Sequence, residues 1–88
     1  MTKKALEDLL KEAARLEDGT YHLEPGASNG LLLSAGGTMV TLEQLVKVVL
    51  HAGYLMAETR KGERYLLDLG CVMGIKVGAP PVDGAGFV

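Results

Sequence analysis

Between Ala5 and Leu16 the apolar side chains fall at Leu6, Leu9, Leu10, Ala13 and Leu16, a spacing that lines one face of a helix. Thr2 can cap its start, Glu7 and Lys11 stand one turn apart with the acid leading, and Asp18-Gly19 supplies a stop. Lys3 and Lys4 sit at the positive end of the macrodipole, so the first turn is expected to fray.

A second helix is predicted from Leu42 to Ala52. Thr41 and Gln44 have the spacing of a capping box, Val40 and Leu45 that of a hydrophobic staple, and Gly53 the place of a left-handed stop. Leu42, Leu45, Val46, Val49 and Leu50 make its apolar stripe, which Val48 and Ala52 widen. A helix so apolar exceeds what 88 residues can cover, and this predicts a subunit interface at Val46, Val49 and Leu50.

After Gly53 the period shortens to two. Tyr54 to Thr59 and Arg64 to Leu69 read as strands joined by a Lys61-Gly62 turn that pairs Thr59 with Arg64, Glu58 with Tyr65 and Met56 with Leu67. That register gathers Tyr54, Met56, Tyr65, Leu67 and Leu69 on one face. Cys71, Met73, Ile75 and Val77 alternate along a third strand of the same meander, and Thr20–Glu24, Leu31–Ser34 and Thr38–Val40 are short strands between the helices.

The predicted class is α+β. A single domain over residues 1–77 runs helix, strand, strand, helix, strand, strand, strand, with an antiparallel sheet packed by two helices and a Gly/Pro-rich arm over residues 78–88. This order resembles that of roadblock-type domains, small dimeric proteins whose sheet continues across two subunits. The resemblance is one of topology, without a shared motif and without the closing helix of that fold.

Composition narrows the function classes. Eleven acids against nine bases give a net charge of −2, so no overall field draws nucleic acid or an anionic membrane. The chain lacks Trp and has one Phe, leaving Leu, Val and Ala to build the core. The single cysteine, Cys71, and the lack of a secretory or membrane-spanning apolar run predict a reducing cytoplasm. Small size would suit an accessory protein of a phage or mobile element.

Few residues carry chemistry. Ser34, Gly36, Gly37 and Thr38 form the candidate anion-binding turn, because consecutive glycines let backbone N–H groups converge on a phosphate. No Walker lysine follows, and a hairpin turn accounts for the same residues. His22 and His51 have no metal-ligand spacing to each other or to Cys71, no carboxylate dyad is visible, and no nucleophile has a base at a recognisable spacing. Arg60, Lys61 and Arg64 at a hairpin tip after a helix look like a winged helix-turn-helix, but Glu58 and Glu63 share the tip and the basic footprint is missing.

The leading expectation is therefore a non-enzymatic, homo-oligomeric protein-binding module, such as a regulatory or inhibitory subunit, that needs no metal or cofactor. A domain for a small anionic ligand or nucleotide is the alternative, and a winged-helix DNA-binding protein the second. Phe87 and Val88 end the Pro-containing arm on an apolar pair, the expected anchor of a contact with a partner or a second copy.

Overall fold

Helix α1 (Lys3–Ala13) takes up the first part of the amphipathic stretch, and Thr2 caps it by accepting a hydrogen bond from the Ala5 N–H at 3.2 Å. It does not reach Leu16: Arg15–Glu17 is a strand paired antiparallel with Thr20–His22, and Asp18-Gly19, expected as the helix stop, is the left-handed turn between the two. Its Leu6 and Leu10 are fully buried. Each such burial contributes about 1.5–3 kcal/mol relative to exposure, enough to hold a helix of this length against the sheet although its first turn carries no acid. The helix ends at Ala14, where the backbone turns extended. Lys4 and Asp8 form its exposed ion pair, at 3.8 Å.

The rest of the chain overturns the expected α+β class. The computed structural model describes residues 1–78, which form one α-helix and eight strands: β1 (Arg15–Glu17), β2 (Thr20–His22), β3 (Gly30–Ala35), β4 (Thr38–Glu43), β5 (Leu45–Leu50), β6 (Tyr54–Thr59), β7 (Arg64–Asp68) and β8 (Val72–Lys76). All the pairings are antiparallel, in a five-stranded sheet of order β1-β2-β5-β6-β7 and a three-stranded sheet of order β4-β3-β8. The likeness to a roadblock-type order goes with the second helix, because Leu42–Ala52 holds the end of β4, the crossing at Gln44 and all of β5 instead of a helix.

A bulge explains that misreading. The β5–β6 ladder shifts between Leu45 and Lys47, so Val46 is the extra residue. Leu45 and Val48 are both fully buried, three apart, in a strand whose period is otherwise two. The bulge thus imitates the i, i+3 spacing of a helix, while Val46, Val48 and Val49 supply the β-branched side chains a strand prefers. At Gln44 the supposed capping box is instead a left-handed residue, φ +58°, where the chain passes from β4 in one sheet to β5 in the other.

The hairpin β6–β7 forms where it is expected, with β7 ending at Asp68 and not Leu69, but in a register one residue away from the expected one. Glu58 faces Arg64, Ala57 faces Tyr65 and Met56 faces Leu66. Thr59 N–H donates to Glu63 O and Gly62 N–H to Thr59 O, which encloses a three-residue loop with Gly62 at φ +87°, not the two-residue turn expected. Leu55, Ala57 and Thr59 are therefore the buried residues of β6, and Tyr54 and Met56 face away from them. Nor do the last three strands form a meander. Asp68 caps a 3₁₀ turn (Leu69–Cys71) through Gly70 N–H at 2.8 Å, and the chain crosses to pair β8 with β3.

The core is aliphatic, as composition requires: Leu6, Leu10, Leu23, Leu31, Leu45, Val48, Leu55, Ala57, Leu69 and Val72, with Tyr21 its one aromatic among the described residues. Both sheets contribute to it, so it lies between them and under α1.

Candidate functional site

Two surfaces stand out, one on each sheet. The first is the hairpin of β3 and β4. Gly36 and Gly37 have φ +58° and +84°, the paired left-handed conformation of a two-residue hairpin loop. The candidate anion-binding residues Ser34, Gly36, Gly37 and Thr38 are thus brought together at this tip, as two exposed strand ends and their connecting turn.

Beyond the tip, β4 is the outer strand of its sheet, with Met39 and Val40 exposed at 58% and 45%. Ala35 and Thr38 close the loop as a hydrogen-bonded pair, and the alternation of an antiparallel ladder then turns the N–H and C=O groups of Met39 and Thr41 to the open side. From Thr38 to Leu42 the strand holds no charge and no proline, and its ladder with β3 is unbroken by a bulge. Natural edge strands are usually guarded by one of these devices.

The second surface is the face of the five-stranded sheet turned from the core. Arg15 pairs with His22, His22 with Lys47, Lys47 with Glu58 and Glu58 with Arg64, so these five side chains form one row across all five strands. Glu58 is the carboxylate within the row: its side chain, 17% exposed, lies 3.2 Å from Arg64 Nε and 4.0 Å from Lys47 Nζ. His22 Nε2 and Arg15 Nη2 lie 3.9 and 4.0 Å from Glu17.

Where this row meets the loop after β2 and the turn after β6, a cleft of about 370 Å³ opens. Arg15, His22, Lys47 and Arg60 line it with Glu24 and Glu58, and Leu23, Pro25 and Val46 give it an apolar part. Among the described residues Arg60 has no carboxylate within 4.0 Å. The sequence pattern does not reveal this site because its members come from four separate strands, the loop after β2 and the turn after β6.

The structure places the expected interface residues as follows. Val46 is the bulge residue beside the cleft, Val49 lies on the outward face and Leu50 packs against the core. Phe87 and Val88 lie outside the described residues. His51 stacks on Tyr54 with ring centroids 4.5 Å apart, and the Cys71 thiol donates to Asp68 O at 3.0 Å. Among the described residues no group of three or more His, Cys, Asp or Glu could hold a metal ion, and no helix is long and apolar enough to cross a membrane. The winged-helix reading loses its recognition helix, since the segment before the basic hairpin is β4 and β5.

No family model, curated protein or solved structure matches the chain.

Proposed function

We propose that this chain is a non-enzymatic protein-binding module that acts as a homodimer, joined edge to edge through β4. The observation that carries the reading is the unguarded edge itself: exposed apolar side chains, free backbone groups at Met39 and Thr41, and no charge from Thr38 to Leu42. A second copy fits it by symmetry. With a two-fold axis through Val40, Met39 of one chain faces Thr41 of the other and exchanges both backbone hydrogen bonds, while the two Val40 side chains meet at the closer, non-hydrogen-bonded position.

Charge does not oppose this pairing. The one charged residue of β4 is Glu43, which Lys76 neutralises within the chain at 3.4 Å and which falls opposite Gly37 of the second copy. The product is a six-stranded sheet, β8-β3-β4 followed by its symmetry mate. A reducing cytoplasmic setting belongs to the same proposal, resting on the single free thiol of Cys71.

Light scattering coupled to size exclusion tests it. The wild type is expected to elute as two chains per particle at micromolar concentration, and Val40→Lys as one chain with an unchanged circular dichroism spectrum. Equal masses for the two proteins overturn the edge-to-edge reading.

A further inference from the structure

The cleft on the five-stranded sheet has chemistry that dimerisation through β4 leaves unused. Three permanent cations line it, Arg15, Lys47 and Arg60, with the imidazole of His22 beside them, against two carboxylates, Glu24 and Glu58. Glu58 is already engaged by Lys47 and Arg64. Arg60, with no carboxylate partner among the described residues, is the guanidinium with its donors free for a ligand.

From this arrangement we propose that the cleft binds a small phosphate monoester with a non-aromatic body. A phosphate presents three acceptor oxygens where a carboxylate presents two, and planar guanidinium forks suit it. Cations held on separate strands can thus converge on one group. The volume, about 370 Å³, lies toward the lower end of the ~300–1,000 Å³ range of small-molecule sites. It has room for a phosphate and a short carbon chain or sugar. Among the described residues no Phe, Tyr or Trp lines the cleft and its one ring is the His22 imidazole beside the cations, whereas Leu23, Pro25 and Val46 cover an aliphatic part that suits a non-aromatic body.

Glu58 sets the affinity. An entering phosphate competes with it for Lys47 and is repelled by it, so neutralising that carboxylate frees a cation and removes a repulsion. A residue that merely holds the strands together would not strengthen binding when its charge is removed, which gives the proposal an outcome that structural damage does not mimic.

The test is calorimetric titration of the intact protein, at fixed ionic strength, with glycerol 3-phosphate, inorganic phosphate and glycerol. Saturable binding is expected for glycerol 3-phosphate, weaker binding for inorganic phosphate and none for glycerol. Arg60→Ala should weaken glycerol 3-phosphate binding about tenfold or more, the scale of a lost hydrogen bond to a charged group. Glu58→Gln should strengthen it several-fold. Arg60 lies on an exposed turn and its backbone N–H, which donates to Gln44 O at 2.8 Å, survives the substitution, so the fold is expected to hold. Val40→Lys should bind as the wild type does, which separates the fate of this site from that of the dimer. The proposal is overturned if no saturable heat appears with glycerol 3-phosphate, or if Arg60→Ala and Glu58→Gln both bind like the wild type.

Discussion

Lys76 Nζ lies 3.4 Å from Glu43 Oε1, and the two side chains meet over Gly30, which faces Glu43 in the β3–β4 ladder and Lys76 in the β3–β8 ladder. A Cβ at Gly30 would stand 2.9 Å from Leu42 O and 3.1 Å from a Thr41 methyl. The first of these is backbone and cannot swing aside. Gly30→Ala is therefore expected to cost about 1–3 kcal/mol, the range of overpacked sites, read as a lower denaturation midpoint with unchanged slope. Lys76→Ala removes only a half-exposed ion pair and should cost no more than about 1 kcal/mol. Equal stability of Gly30→Ala and the wild type would contradict the close approach.

The passage between the two sheets depends on Gln44, a non-glycine residue at φ +58°. Left-handed backbone costs an ordinary residue about 1–2 kcal/mol, and a β-branched side chain suffers more. Gln44→Val should thus destabilise by at least about 1 kcal/mol, whereas Gln44→Gly trades strain against chain entropy and should stay within about 1 kcal/mol of the wild type. Urea unfolding of the two variants checks the contrast. A Gln44→Val protein as stable as Gln44→Gly would place this residue in ordinary extended backbone.

Thr59 Oγ1 is buried and finds no hydrogen-bond partner among the described residues. An unsatisfied hydroxyl carries a desolvation cost of about 1–3 kcal/mol, and valine has nearly its shape. Thr59→Val is expected to be neutral or to raise the unfolding midpoint. A loss above about 1 kcal/mol would show that the hydroxyl is bonded after all.

Alkaline pH should weaken the fold through Tyr21. Burial first, then the Glu7 and Asp8 carboxylates of α1, raise its phenol above the ordinary 10.0. The folded chain consequently keeps a proton that the unfolded chain releases, so this contribution is whole below pH 10.0 and declines as pH climbs toward the raised folded value. Tyr21→Phe should flatten the fall of unfolding free energy above that pH. The same slope in both proteins would remove Tyr21 as its source. Tyr65, raised chiefly by the Glu63 carboxylate beside it, works in the same direction from the surface.

The parts of this fold that were legible in the sequence are those governed by local rules. Leu6 and Leu10 marked a helix, Thr2 its cap, and Tyr54–Thr59 with Arg64–Leu69 a hairpin that the structure ends one residue earlier, because each signal spans one turn or one loop. What failed depended on a single residue that shifts a period. The bulge at Val46 turned strand alternation into helix-like spacing, and one extra loop residue before Gly62 moved every partner in the β6–β7 ladder. The three valines at positions 46, 48 and 49 were the available warning against a helix. The cleft was invisible for a different reason. Arg15, His22, Lys47 and Glu58 become neighbours only once four strands are in register, and that register is a tertiary property.

Pairing of two β4 edges is tested most directly by amide hydrogen exchange at Met39 and Thr41. The neighbouring amides of Val40 and Leu42 point to β3 and are protected in any case, so they serve as internal controls. At high protein concentration the Met39 and Thr41 amides are expected to be protected as well, and to lose that protection on dilution or in Val40→Lys. Unprotected exchange at both positions in concentrated wild-type protein, with Val40 and Leu42 still protected, would contradict the homodimer proposed here.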